Sequence, residues 1–331
     1  MAANVRSKIR ATVGLAIACA SLIAAPFSHA QTDYPIRPVT VVVAFAPGGM
    51  TDIVSRALAK ELTQAFDQSF VVENRSGGAG QVGTEYVARR PADGYTLLVS
   101  ATGHVIGPVL QKRVAYDPVK SFEPVAILAK APNLLVVNPG VPVNNVSDFV
   151  AWAKQQPSVP YATAGAGGST HLAGELLRHL SGLPLAHVPY KGAAPATADV
   201  VAGQVPIAFQ DSMSVSGPIA SGRLRPIAVT SAQRSAIFPN LPTLRESGYR
   251  DFDVYTWLGL YAPAGTPPDI VQKLNRAVTR IMTSPEMSER LRSQSSEPVE
   301  AMNVIETRRY VEKEVDKWKV LVEKTGVKAE D

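Results

Sequence analysis

The sequence predicts an α/β protein made of two lobes. From residue 39 onward, short and continuously apolar segments alternate with amphipathic segments, as buried parallel strands alternate with crossover helices. An NPG turn at 138–140 separates two such runs, and the chain ends in helical segments with no strands of their own to cover. We therefore expect a discontinuous first lobe of residues 31–134 and 255–331 and a second lobe of residues 135–254. Each lobe should contain a doubly wound, mainly parallel sheet.

The first run of elements begins the first lobe. Its predicted strands are residues 39–45, 70–73 and 96–100, and its predicted helices are residues 53–66 and 81–90. The alternation βαβαβ favours a parallel sheet with right-handed crossovers.

The second run repeats the alternation after two apolar stretches. The two stretches are residues 125–128 and 134–137. The predicted strands of the second run are residues 161–163, 186–190, 207–209 and 225–230, and its predicted helices are residues 148–155, 171–180 and a segment between Pro195 and Gly203. In the C-terminal part, apolar residues on one face predict a helix over 270–282. Asn303 followed by Glu306 predicts the capped start of a long last helix. We expect both C-terminal helices to pack on the first lobe.

The first thirty residues predict a cleaved export signal and hence a periplasmic protein. Three basic residues among the first ten precede an apolar stretch at 13–23 and a Ser-His-Ala site before Gln31, so we expect cleavage between Ala30 and Gln31. The apolar stretch is too short to span a membrane. The one cysteine, Cys19, follows the sequence AIA, a poor lipoprotein site. A soluble mature protein without cysteine is therefore favoured over a lipid-anchored one.

Composition and charge exclude several classes of protein. The 331 residues are 46% hydrophobic and carry a formal net charge of +5. Residues 1–30 hold three basic residues and no acidic one, so the rest of the chain has 30 basic and 28 acidic residues. After the signal there is no Lys/Arg-rich run and no stretch of about eighteen apolar residues. We expect neither nucleic-acid binding nor a membrane-spanning protein.

Two glycine-rich loops are the strongest candidates for a binding site. They read FAPGGMTD at 45–52 and TAGAGGSTH at 163–171, and each joins a strand to a helix. The N-terminus of a helix offers unpaired N–H groups and the positive end of the helix dipole, so each loop can hold an anion. One loop in each lobe predicts a ligand between the lobes. The alternative is that the glycines only form tight turns, with Thr51 and either Ser169 or Thr170 capping the helices.

The candidate contacts from these loops and their surroundings each have a structural alternative. Asp52 could accept a hydrogen bond from a ligand, although an acid in a first helical turn is favourable without one. His171 could contact a ligand or only bond locally. Lys191, in PYKG at 189–192, is the cation best placed for an anion, or else a solvated surface residue. Pro47 belongs to the first loop and is included among the contacts.

Other chemistry finds little support in the sequence. The segment GAGQVG at 78–83 matches a dinucleotide fingerprint, but the acidic residue expected about twenty positions later is not clearly placed. We interpret it as a tight turn and helix start and expect no cofactor. The four histidines after the signal form no metal-binding pair, so no metal is expected. Ser169 and His171 suggest a hydrolase, but no acid is identified to orient the base.

Six motifs, in this order and spacing, resemble one family of proteins. They are AFAPGGMTD at 44–52, VENR at 72–75, PADGY at 91–95, GGSTHLA at 167–173, VPYKG at 188–192 and Trp257 with GTP at 265–267. The chain is similar, from residue 34 to its last helix, to the periplasmic receptors of tripartite tricarboxylate transporters, the Bug receptors. The resemblance implies a two-lobed periplasmic-binding-protein fold of type II that closes around a small carboxylate in the cleft.

The resemblance also implies the residues that contact the ligand. From the first lobe they are Phe45, Gly48, Gly49, Thr51, Asp52, Ser100 and Thr102, and from the second Thr163, Gly168, Ser169, His171, Tyr190 and Asp211. Met50 and Ala46 depart from the proline-rich first loop that is common in the family, which leaves the size of the ligand open.

The sequence therefore predicts a receptor and not an enzyme. We expect this receptor to capture a mono-, di- or tricarboxylate and to deliver it to a membrane permease. We expect it to act as a monomer. Two alternatives stay open: a ligand sensor for a membrane signalling partner that uses the same pocket, and an exported hydrolase that uses Ser169 and His171. The sequence specifies neither the ligand nor the permease.

Overall fold

The computed structural model describes residues 34–110 and 114–326, and the predicted signal peptide lies outside them. The described chain is a mixed α/β structure built on nine strands, which confirms the predicted α/β class. The strands are β1 (Val39–Val43), β2 (Phe70–Asn74), β3 (Thr96–Ala101), β4 (Phe122–Val137), β5 (Val159–Thr163), β6 (Leu185–Pro189), β7 (Ile207–Asp211), β8 (Arg225–Val229) and β9 (Tyr255–Pro263).

The strands follow the order β2-β1-β3-β9-β4-β7-β5-β6, and β8 also pairs with β4. β1 is parallel to β2 and β3, and β5 is parallel to β6 and β7. In contrast, β9 is antiparallel to β3 and β4, and β4 is antiparallel to β7 and β8. The outer parts of the sheet are therefore parallel, as predicted, whereas its centre is antiparallel.

Strand β4 connects the two parts of the sheet. The two apolar stretches predicted at 125–128 and 134–137 belong to this single strand of 16 residues. Its first part pairs with β9, with register shifts between Pro124 and Ala126 and between Ile127 and Ala129, and its second part pairs with β7 and β8. Pro132 and the shifts interrupt a regular strand pattern, which is why the sequence suggested two short segments.

Ten helices accompany the sheet in the described residues. They are α1 (Met50–Phe66), α2 (Gln81–Ala88), α3 (Gly103–Leu110), α4 (Val146–Ala153), α5 (Ser169–Ser181), α6 (Ala193–Val201), α7 (Ser212–Ala220), α8 (Pro268–Met282), α9 (Pro285–Ser293) and α10 (Val304–Thr325). The sequence did not predict α3, α7, α9 or strand β9. Helices α3 and α7 contain Pro108 and Pro218, which weaken the helical signal.

The C-terminal helices pack on the central strand. Helices α8 and α10 both contact β4, and α8 also contacts α1. Strand β9 lies between β3 and β4, so the chain does return to the sheet before these helices begin. The predicted capping box of α10 is confirmed: Glu306 N–H donates to Asn303 Oδ1 at 3.0 Å, and Asn303 N–H donates to Glu306 Oε2 at 2.8 Å. Trp318 of α10 is fully buried.

Candidate ligand-binding site

Five helix N-termini meet at one small cavity. The cavity has a volume of about 30 Å³, far below the roughly 300–1,000 Å³ of typical ligand pockets. It is lined by Phe45, Ala46, Gly49, Met50, Thr51, Ala79, Ala101, Gly103, Ala164, Gly168, Ser169, Thr170, Ala193, Asp211 and Thr256. These residues include the starts of α1, α3, α5 and α6 and the N-cap of α7. The cavity is therefore surrounded by the positive ends of helix dipoles.

The first glycine-rich loop begins helix α1. Gly49 is the N-cap, and no side chain caps the helix. The first N–H groups of a helix have no acceptor within the helix. Met50 N–H donates to Ser214 Oγ, on α7, at 3.4 Å. Because Gly49 and Thr51 also line the cavity, this N-terminus can offer backbone donors to an anion.

Asp52 supports the first loop from behind rather than lining the cavity. Its carboxylate accepts hydrogen bonds from Gly48 N–H at 3.1 Å, from Asn74 Nδ2 at 2.9 Å and from Arg56 Nε at 3.0 Å. Burial acts to raise the pKa of Asp52, but the hydrogen bonds from Arg56, Asn74 and Gly48 outweigh it and lower the pKa below its usual value. Asp52 is therefore ionised at neutral pH and fixes Gly48 in place.

The second glycine-rich loop begins helix α5 at Ser169, with Gly168 as the N-cap. Ser169 Oγ lies 2.7 Å from Thr256 Oγ1, and Thr256 Oγ1 donates to Asn133 Oδ1 at 2.6 Å. This chain of polar groups ties the second loop to β9 and to the middle of β4. Thr256 and Asn133 were not among the predicted contacts, because both lie far from the loop in the sequence and belong to no motif.

His171 lies behind the second loop and is neutral near pH 7. Its Nδ1 accepts a hydrogen bond from Gly167 N–H at 3.1 Å, and its ring stacks on that of His187 with centroids 4.0 Å apart. Burial lowers the pKa of His171 to about 4 and that of His187 to about 3. Thr163 Oγ1 lies 2.7 Å from His187 Nε2. These side chains hold the loop backbone and do not line the cavity.

A third segment also enters the site. Residues 77–80 have φ angles of 143°, 55°, 50° and 98°, and Ala79 is the one side-chain-bearing residue among them. The backbone of Ala79 lies against two neighbours: a Cβ atom placed on Gly103 would be 2.6 Å from its oxygen, and one placed on Gly165 would be 2.8 Å from its nitrogen. The prediction of a turn and helix start at 78–83 is confirmed. The same glycines, which let the turn adopt positive φ, also place Ala79 in the cavity wall.

Asp211 is the N-cap of α7 and lines the cavity. Its Oδ1 accepts a hydrogen bond from Ser214 N–H at 2.9 Å, and its Oδ2 accepts one from Ser214 Oγ at 2.8 Å. Burial raises the pKa of Asp211, although the bonds from Ser214 act against this shift.

The predicted contacts divide into two groups. Those that line the cavity are Phe45, Gly49, Thr51, Gly168, Ser169 and Asp211, and those that do not are Pro47, Gly48, Asp52, Ser100, Thr102, Thr163, His171, Tyr190 and Lys191. Two residues of the second group bond to residues that do not line the cavity either: Thr102 Oγ1 accepts from Trp257 N–H at 2.8 Å, and Tyr190 OH donates to Asp199 at 2.6 Å. The side chain of Lys191 is exposed. The cavity residues that prediction missed are mostly alanines and glycines, which carry no chemical signal in a sequence.

Two kinds of feature are absent from the described residues. Residues 34–110 and 114–326 contain no group of three or more His, Cys, Asp or Glu side chains that could hold a metal ion. No helix in these ranges is long and apolar enough to cross a membrane.

Comparison with known proteins identifies the family. A family model described as the tripartite tricarboxylate transporter family receptor, TctC, matches residues 54–327. Protein BugT of Bordetella pertussis is 36% identical over 325 residues, which are 97% of this chain and 98% of BugT. The structure of the periplasmic binding protein BugD matches with a TM-score of 0.85 and 36% identity, over 90% of this chain and 100% of BugD.

A protein of R. palustris solved with adipate also matches, with a TM-score of 0.85 and 35% identity over 89% of this chain and 99% of that one. These matches confirm the resemblance read from the six motifs, and they confirm the periplasmic-binding-protein fold. This chain belongs to the TctC family of tripartite tricarboxylate transporter receptors, which are periplasmic solute-binding proteins.

Proposed function

We propose that this protein binds a small organic carboxylate in the periplasm and delivers it to a membrane permease of the tripartite tricarboxylate type. One observation carries the proposal: helix N-termini from α1, α3, α5 and α6 converge on a cavity that no Lys, Arg or His of the described residues lines. Backbone N–H groups and helix dipoles are then the donors for an anion. The adipate bound by the R. palustris relative is a ligand of this chemical class.

We propose two lobes with the boundaries predicted from the sequence, residues 31–134 with 255–331 and residues 135–254. The chain would cross between them within β4 and just before β9. Direct contacts join the two sides at the cavity: Ala46 N–H donates to Lys191 O at 3.1 Å, and Met50 N–H donates to Ser214 Oγ. Because the cavity is so small, a dicarboxylate requires these contacts to separate. Ligand binding is thus coupled to opening and closing of the lobes.

The contacts between Ser169 and its neighbours disfavour a hydrolase. Ser169 Oγ bonds to Thr256 Oγ1, and the Nδ1 of His171 accepts from Gly167 N–H. A serine nucleophile needs a hydrogen bond to its base, and the described residues show none between these two side chains. The protein acts as a receptor, and a sensing role through the same pocket would use the same ligand contacts. We expect the receptor to act as a monomer.

Thermal unfolding of the purified protein against a panel of carboxylates, amino acids and sugars tests the proposal. A ligand at a hundredfold excess over its Kd stabilises the folded state by about 2.7 kcal/mol. We expect stabilisation by carboxylates and not by sugars. Gly49→Val should weaken it strongly, because a Cβ placed there already contacts Ala193 at 3.6 Å and the two methyl groups beyond it would crowd the cavity that Gly49 and Ala193 line. Gly140→Val, at an exposed turn, is the matched control. A response to sugars alone would refute the proposal.

A further inference from the structure

The cavity contains one ionisable side chain, and it is an acid. Asp211 is 5% exposed and lines the cavity, whereas the other lining residues of the described chain are apolar, glycine or hydroxyl-bearing. If the ligand is a carboxylate, the charged side chain of Asp211 and the ligand carry charges of the same sign. Two like charges at close range in a medium of low polarity repel each other strongly. This acid must therefore contribute something other than attraction for the ligand's carboxylate.

Asp211 is held firmly by the first turn of α7. Ser214 donates to both of its oxygens, through the backbone N–H at 2.9 Å and the hydroxyl at 2.8 Å. Ser214 Oγ in turn accepts from Met50 N–H at 3.4 Å, so the acid is connected through Ser214 to the N-terminus of α1. A carboxylate has about four acceptor positions. Asp211 therefore keeps the capacity to accept a hydrogen bond from a ligand.

We propose that Asp211 selects carboxylates that carry an additional hydrogen-bond donor, a hydroxyl or an ammonium group, over carboxylates that carry none. This inference rests on the proposed function. The ligand's carboxylate lies at the helix N-termini of α1 and α5, and its donor faces Asp211. Burial, which raises the pKa of Asp211, makes the charged form of this acid costly, and its two oxygens have acceptor positions left for a further hydrogen-bond partner. A donor from the ligand supplies one, and an ammonium group also balances the negative charge.

Three ligands with the same four-carbon dicarboxylate frame provide the test. Succinate carries no donor, malate carries a hydroxyl group and aspartate carries an ammonium group. Adipate serves as a second ligand without a donor. We expect isothermal titration calorimetry of the purified protein to show that malate, aspartate or both bind at least about tenfold more tightly than succinate and adipate, as a hydrogen bond to a charged group predicts.

Substitution of the acid should remove this preference. Asp211→Asn keeps an N-cap of similar quality, because Asn and Asp cap helices equally well. It removes the charge and presents a donor where the ligand's donor would be. We expect the tenfold preference to fall to about twofold or less. Asp211→Ser, which also caps a helix, provides a second variant in case the first does not fold. Asp199→Asn is the control: it makes the same change of charge at a residue that accepts from Tyr190 and does not line the cavity.

The outcomes are distinct. If carboxylates bind but donors confer no preference, or if the preference survives both Asp211→Asn and Asp211→Ser, the inference is wrong and the proposed function stands. If Asp199→Asn removes the preference equally, the preference arises from the electrostatic field of the whole protein and not from a contact with Asp211. The inference is then also wrong. If no carboxylate binds the unaltered protein, the proposed function itself fails, and the inference with it.

Discussion

Adding one methyl group at Gly103 should disturb the cavity through the segment that carries Ala79. Gly103 is the first residue of α3, and a Cβ atom there would lie 2.6 Å from the backbone oxygen of Ala79 and 3.6 Å from the Cα of Gly168. Carbon and oxygen atoms in weak contact are normally about 3.3–3.6 Å apart. Gly103→Ala therefore requires a backbone shift of roughly 0.7 Å at Ala79.

The expected cost follows from this overlap. Overpacking of a well-packed site costs about 1–3 kcal/mol. For a protein of this size, each kcal/mol lowers the melting temperature by about 2 °C, so we expect a decrease of roughly 2–6 °C. Because the displaced Ala79 forms the wall next to Gly165 and Gly168, we also expect carboxylate affinity to fall about tenfold or more, which corresponds to about 1.4 kcal/mol.

A matched variant separates stability from binding. A Cβ atom on Gly83, in α2, would lie 2.8 Å from both Ala44 Cα and Arg75 O, but Gly83 does not line the cavity. Gly83→Ala should lower the melting temperature by a similar amount and leave the affinity unchanged. Scanning calorimetry and titration calorimetry of both variants provide the data. Unchanged affinity in Gly103→Ala, or an equal loss in both variants, would refute the role assigned to Ala79.

Two further predictions concern stability. Since burial lowers the pKa of His104 and His171 to about 4, the unfolded chain binds protons below pH 6.5 that the folded chain does not. As the pH falls from 6.5 to 4, the free energy of unfolding should therefore decrease by up to roughly 1.4 kcal/mol per pH unit for each histidine. Urea titrations at pH 7 and pH 5 measure this difference, and equal stability at the two pH values would contradict the prediction. Asp52→Ala should cost roughly 1–3 kcal/mol, because it removes the acceptor of Gly48 N–H, Asn74 and Arg56, while the side chain of Arg56 is half exposed and can turn to water. Asp52→Asn should cost clearly less in the same urea titrations.

The sequence predicts the elements that follow a regular pattern. The strands β1, β2 and β3 and the helices α5 and α10 agree with their predicted positions to within a few residues, because buried strands are continuously apolar and helices keep a regular apolar face. The long antiparallel pairing of β4 with β9 was not predicted. Pairing between segments more than a hundred residues apart depends on the whole sheet, and no local pattern specifies it.

The site residues that the sequence predicts are those whose position depends on local turn chemistry. The site residues that it misses are those whose position depends on tertiary contacts. Gly49 and Gly168 are N-caps in glycine-rich loops, so the sequence identifies both. Ala79 enters the cavity because its turn adopts positive φ, and Thr256 enters because β9 inserts beside β3. An alanine and a threonine outside any motif give no signal of this kind. Asp52 was expected to contact the ligand, but its oxygens are occupied by its neighbours, so that contact stays a prediction.

The last prediction concerns how the site attracts an anion although no cationic side chain lines the cavity. Lys191 is the cation that the sequence favoured, yet it is exposed and does not line the cavity, and its backbone oxygen accepts a hydrogen bond from Ala46 N–H in the first loop. If neutral N–H groups hold the carboxylate, Lys191 acts at most as an exposed charge, worth about 1 kcal/mol or less, and Lys191→Ala should weaken binding by no more than about fivefold.

A direct ion pair with Lys191 inside a closed site would give a different result. Loss of one partner of a buried charge pair costs about 2–5 kcal/mol, or roughly thirtyfold and more in affinity. Salt distinguishes the two cases as well, since exposed charges are screened within about 10 Å at 0.1 M ionic strength and buried dipoles are screened much less. Titration calorimetry of Lys191→Ala and of Lys154→Ala, a substitution of an exposed lysine on another helix end, should give nearly equal and small effects. A thirtyfold loss specific to Lys191→Ala would show that a side-chain cation, and not the helix N-termini, holds the ligand.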